Sequence, residues 1–119
     1  MTYLLWYDED DENHKDKLEQ LLKISNPKEV IKNAQQYFNN PDIKVYLSNN
    51  KNKKYAIYDP INKKLTHFGQ MGFEDHTYHN DPQRRDNYLK RTANIRGSWK
   101  NNKYSANKLS RNLLWDANE

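Results

Sequence analysis

KLTHFGQMGFEDHTYHNDPQRRDNYLKR, residues 64–91, decides how the rest of the chain is read. Leu65–Phe68 has strand character and ends at Gly69, and a second glycine, Gly72, follows before Phe73. Two glycines so close supply backbone conformations that side chains oppose, so the stretch predicts a hinged aromatic loop over Gly69–Asn80 that brings Phe68 and Phe73 together. Asp81-Pro82 then reads as an N-cap followed by proline at the first helical position, which predicts a helix to about Asn94. On that helix Arg84, Tyr88 and Arg91 fall at i, i+4 and i+7, one narrow stripe, with Leu89 and Ala93 toward the core.

N-terminal to this stretch the pattern is that of a meander. Ile43, Val45 and Leu47 alternate with Lys44 and Tyr46, Tyr55–Tyr58 gives a second strand, and Leu65–Phe68 is the third. Polar turns at Asn49–Lys53 and Asp59-Pro60-Ile61-Asn62 are too short for crossovers, so the strands are expected to be antiparallel. Asn26-Pro27-Lys28-Glu29 predicts a helix start with a capping box, and Val30, Ile31, Ala34, Tyr37 and Phe38 form one apolar stripe before Asn39-Asn40-Pro41 ends it. Earlier still, Thr2–Tyr7 reads as a short strand. The acids Asp8–Glu12 suit a helix start, with Leu18, Leu21 and Leu22 at helical spacing after them. The apolar run at Thr2–Tyr7 has no basic leader, so no signal peptide is expected, and nothing approaches the ~20 apolar residues of a membrane span.

C-terminal to it, Gly97 breaks the helix, Trp99 and Tyr104 lie in a basic connection, and Leu109, Leu113, Leu114 and Trp115 predict a closing helix from about Ser105. The fold class expected is α+β: N-terminal helices, a three-stranded antiparallel meander and a C-terminal basic helix pair. It should form a single domain over 1–119, with an acidic helical part (1–40), the meander (41–69), and the aromatic loop with basic helices (70–119).

Composition narrows the function classes. With 34% of residues hydrophobic and 30% charged, the chain leans toward disorder, but nine Tyr, three Trp and three Phe supply large buried areas and argue for an aromatic-rich core. The absence of cysteine excludes disulfides and thiolate metal sites. Residues 1–40 carry eight acids against five bases, whereas 41–119 carry eight against fifteen. Between Pro82 and Arg111 there are nine bases and one acid, Asp86, a distribution suited to phosphates or to an acidic protein surface.

Catalytic readings are weak. His67, His76, His79 and Asp81 have metal-ligand chemistry, but His76 and His79 are predicted in a loop, with no HExxH helix to hold them together. No metal or cofactor is expected, and His79 reads better as a structural bridge from loop to helix. Glu74, Asp75, Asp81 and Arg84 could form a metal-dependent hydrolase site, yet Asp81 is better explained as a cap. No serine elbow, P-loop or dinucleotide fingerprint occurs. Binding is the stronger reading: Arg84, Arg85 and Arg91 can grip carboxylates or phosphates, with Tyr88, Trp99 and Tyr104 interleaving aromatic surface. Against this stands an internal use of Arg84 or Arg85, pairing with Glu74, Asp75 or Asp81.

His67-Phe68-Gly69, Phe73, Asp75, Thr77, His79, Asp81, Arg84-Arg85, Tyr88, Arg91 and Leu114-Trp115 resemble, over roughly residues 54–115, the pattern of an uncharacterised family of short proteins encoded by nucleocytoplasmic large DNA viruses. His76 and Thr92 depart from it, standing where that pattern has Tyr and His. The resemblance brings no activity. It implies context only: a viral protein and a virion component. With the weak catalytic readings, the function expected is that of a non-enzymatic structural protein, such as a minor capsid or cement component, made in the host cytoplasm, with capsid subunits as partners. The alternative partner is nucleic acid, bound through the same residues.

Overall fold

The computed structural model describes residues 5–6 and 12–119. A four-stranded sheet runs in the order β1 (Leu5–Trp6), β2 (Val45–Leu47), β3 (Lys53–Asp59), β4 (Lys64–Gln70). The β2–β3 and β3–β4 pairs are antiparallel, with Tyr55 opposite Phe68 and Ile57 opposite Thr66. This is the meander that the alternation and short polar turns require. The strand expected at the N-terminus is present at Leu5–Trp6 and lies parallel to β2, with Leu5 opposite Val45; the other residues of Thr2–Tyr7, and the acids Asp8–Asp11, lie outside the described residues.

Helix α1 (Glu12–Leu21) begins at the last acid of the run. Its Lys17 Nζ reaches the β2–β3 turn, donating to the carbonyls of Ser48 at 2.6 Å and Asn50 at 2.8 Å. Helix α2 (Pro27–Phe38) starts on its proline and ends at Asn39, whose φ of 48° is the left-handed geometry of a helix C-terminus. Val30, Ile31 and Ala34 of its stripe are buried in one core cluster with Tyr55, Ile57 and Phe68 of the sheet. The core is closed from the other end of the chain by Leu109, Leu113 and Leu114, all fully or almost fully buried. The fold class is therefore the α+β arrangement expected, and among the described residues no helix is long and apolar enough to cross a membrane.

Four local expectations need correcting. Asn26 occupies the N-cap position of α2, but its side chain makes no cap; its N–H instead donates to the Thr77 hydroxyl at 2.9 Å. The Gly69–Asn80 segment is not all loop, because Asp75 caps a one-turn helix, α3 (His76–His79). Phe68 and Phe73 do not come together: Phe68 is fully buried with its ring 5.8 Å from that of Tyr55, while Phe73 is 66% exposed. The closing helix α5 (Ala106–Leu109), capped by Ser105, widens into a π-helical turn over Ser110–Leu114. That widening faces the groove described next, a position where such turns are often found.

Candidate binding groove

Helix α4 (Pro82–Ala93) is started by Asp81, whose carboxylate accepts from the N–H groups of Gln83 and Arg84. It lies across from the end of β4, leaving a groove of about 590 Å³. Lys53, Lys54 and Phe68–Gln70 of the sheet form one wall, and Arg84, Asn87, Tyr88 and Arg91 of α4 form the other. The floor is the π-helical turn with Ser110, Leu114 and Trp115, and Phe73 and Glu74 stand at one end. Gly69 is needed where sheet and floor meet: its φ is +81°, and a Cβ there would lie 2.8 Å from Leu114 Cδ1.

The end of the groove is pinned by a buried polar network. Lys54 Nζ, on a side chain only 2% exposed, donates to Asp75 Oδ2 at 2.9 Å and to the Phe73 carbonyl at 2.6 Å. The other carboxylate oxygen of Asp75 accepts from the Thr77 N–H at 3.0 Å and from the Thr77 hydroxyl. Ser25 bonds both the Tyr55 hydroxyl, at 2.7 Å, and Thr77, and the Asp75 N–H donates to the Ile24 carbonyl. Burial drives the Lys54 ammonium below its ordinary pKa and Asp75 opposes that shift, so charge and counter-charge hold each other inside the fold. Asp75 is thus a structural acid, not a surface ligand.

A stacked column sets the α4 wall. His79 packs against Trp115 with ring centroids 5.2 Å apart, Trp115 stacks on Tyr88 at 4.2 Å with planes 9° apart, and the Arg91 guanidinium lies 5.4 Å over the Tyr88 ring. Burial raises the Tyr88 pKa. His79 Nδ1 accepts from the Asp81 N–H at 2.9 Å, so the neutral ring carries its proton on Nε2. Burial, then the nearby Arg84 and His76, lowers the His79 pKa.

The three arginines have different surroundings. Arg84 is exposed and makes an ion pair with Glu74 at 2.8 Å, the internal pairing weighed from the sequence. Arg85 lies outside the groove lining, donating to the Asp116 carbonyl at 2.7 Å and meeting Asp86 at 3.4 Å. Arg91 is exposed, lines the groove and has no carboxylate partner among the described residues.

Trp99 and Tyr104 do not join this face. Trp99 is 7% exposed, donates to the Ile95 carbonyl at 2.7 Å, and has Lys100 and Arg111 over its ring. Tyr104 stacks on Phe38 at 5.2 Å. Aromatic residues in a basic connection read as surface from sequence because their internal partners are distant in the chain. His67, in the middle of β4, bonds Ser48 Oγ through Nδ1 at 2.7 Å. Gly72 has φ +93° and open space about it.

Sequence reasoning missed Lys53, Asn87 and Ser110. Asn87 was legible, since it shares the i, i+3, i+4, i+7 stripe of Arg84, Tyr88 and Arg91. Lys53 was not, because its place depends on the cross-strand register that sets it opposite Gln70. Among the described residues no three His or acidic side chains converge as metal ligands. The carboxylates weighed for hydrolysis are engaged: Glu74 by Arg84, Asp75 by Lys54 and Thr77, and Asp81 by the α4 amides.

No curated protein and no solved structure matches the chain. Residues 43–92, which contain β2 to β4, α3 and nearly all of α4, but not Leu114-Trp115, match a family of unknown function (DUF5754).

Proposed function

We propose that the chain is a non-enzymatic interaction protein that holds a neighbouring macromolecule in the groove between β4 and α4. The observation that carries this reading is Arg91: a guanidinium lying over the Tyr88 ring and lining the groove, with no carboxylate partner among the described residues. A cation so placed contributes little to stability, and its organisation suits an external anionic group. The likeness to short proteins of large eukaryotic DNA viruses supports placing it in the virion, as a minor capsid or cement component made in the host cytoplasm and docking on capsid subunits. The nine bases between Pro82 and Arg111 support genome association as the second reading.

Purified particles test the first. The protein should be present in stoichiometric amounts, and the double variant Arg84→Glu/Arg91→Glu should be lost from them while remaining soluble. Equal recovery of wild type and variant, or absence of both, contradicts the proposal. Retention of purified protein on DNA, with log affinity falling steeply against log salt, would favour genome association.

A further inference from the structure

Resting on that reading, we infer that the groove takes an extended acidic protein segment, with its carboxylates on Arg84, Arg91 and Lys53, and its main chain against the outer edge of β4.

Charge complementarity is the first argument. Lys53, Arg84 and Arg91 line the groove, and among the residues lining it Glu74 is the one acid. Glu74 already shows which acceptor this wall takes, since its carboxylate sits on Arg84 at 2.8 Å at the groove's end. An incoming carboxylate on Arg91 would repeat that contact about two turns further along α4, the distance spanned by Arg84 and Arg91 in an α-helix.

The second argument is the sheet edge. β4 ends the strand order, and among the described residues no main-chain group of Lys64–Gln70 bonds to any element but β3, although Leu114 of the π-helical turn closes on the strand at Gly69. An unpaired edge beside a lined groove accepts a peptide in extended form, adding main-chain hydrogen bonds that a nucleic acid cannot make. Phe73, two-thirds exposed at the groove's end, offers an apolar contact to a neighbouring side chain of that peptide.

The same inventory argues against single-stranded nucleic acid. Base stacking needs free ring faces. Tyr88 has Trp115 on one side and Arg91 over its ring, Trp99 is buried, and Tyr104 stacks on Phe38. Only Phe73 among the groove's aromatic residues is exposed.

The test is a fluorescence-anisotropy titration of the full chain with a labelled peptide of about ten residues, the upper length of an ordinary strand, alternating Glu and Thr around a central Phe. Three further probes accompany it: the same peptide with Lys for Glu, the acidic peptide N-methylated at alternate residues, and a short oligodeoxythymidine. The acidic peptide should bind at about 50 mM salt and weaken by about 200 mM, as screening shortens the reach of charge. Binding should fall about tenfold or more in Arg91→Glu, a loss of ~1.4 kcal/mol by the tenfold conversion. It should fall less in Phe73→Ala, and both variants should keep the wild-type far-UV circular dichroism. N-methylation should weaken binding, and the Lys peptide should not bind.

Oligodeoxythymidine binding as tight as the acidic peptide would overturn the inference in favour of nucleic acid. Indifference to N-methylation would remove strand addition. Sedimentation as a dimer whose dissociation the peptide cannot promote would assign the groove to a second copy instead. A protein that leaves particles when Arg91 is reversed, yet ignores the peptide, keeps its docking role and loses this partner class.

Discussion

Glu74 and Asp75 are adjacent acids, each paired with a cation, and they do opposite work. Asp75 and its partner Lys54 are 0% and 2% exposed, and their ion pair is enclosed with Thr77 and the Phe73 carbonyl. Glu74 and its partner Arg84 are 39% and 47% exposed on the groove rim. Two charges taken out of water must keep each other, because removing one leaves the other buried and uncompensated. Two charges left in water exchange partners at little expense. One pair therefore fixes the fold, and the other leaves a cation available for something outside. The same contrast holds along β3, where buried Lys54 follows the partly exposed, groove-lining Lys53.

The sharpest break in this comparison is Asp75→Asn. It should destabilise the protein by about 3–5 kcal/mol in urea unfolding, the expected cost of stranding a buried partner charge. That is a large share of the ~5–15 kcal/mol that domains of this kind possess. A loss below ~1 kcal/mol would mean that Lys54 finds water or another acceptor. Adding Lys54→Met to Asp75→Asn should recover part of the loss.

The two glycines of the hinge make a second contrast. Gly69→Ala combines a left-handed backbone with a Cβ 2.8 Å from Leu114, so about 2–4 kcal/mol is expected from strain and overpacking together. Gly72→Ala meets no atom within 4 Å and should cost only the backbone term, ~1–2 kcal/mol. Equal thermal midpoints for the two variants would show that Leu114 gives way freely.

Acid should loosen the α4 junction next. The His79 pKa is lowered from its ordinary 6.5, chiefly by burial, with Arg84 and His76 adding and Asp75 and Asp81 opposing. A lowered histidine favours the neutral form in the fold. The stability it supports is complete above about pH 6.5 and declines as pH falls through the folded-state value. His67, also lowered by burial and by Lys17 and Lys53, contributes in the same direction. Urea midpoints between pH 7.5 and 5 should fall, and His79→Gln should flatten the profile in part. Glu74→Ala closes the series with less than ~1 kcal/mol in urea unfolding, the ordinary worth of an exposed pair.

Those effects follow how far each residue could be read before folding. The α2 stripe, the proline-started α4 with its Asp81 cap, and the meander were legible because each depends on local chemistry repeated at a fixed spacing. Arg84 and Arg91 were legible as one stripe for the same reason. The burial of Lys54 and Asp75 was not, since a lysine in a strand and an acid after a glycine loop both look solvated until tertiary pairing encloses them. Trp99 and Tyr104 were misplaced because Arg111 and Phe38, which cover them, come from other elements. Strand β1 was expected, but its parallel pairing depends on a partner about forty residues away and leaves no local signal.

The role of Arg91 is tested by one titration: the acidic peptide against wild type and Arg91→Glu at matched folded concentration. An unchanged urea midpoint and an affinity lower by about tenfold or more are expected. Unchanged affinity, or a midpoint shift as large as that of Asp75→Asn, would contradict the division between a cation that holds the fold and a cation kept for a partner.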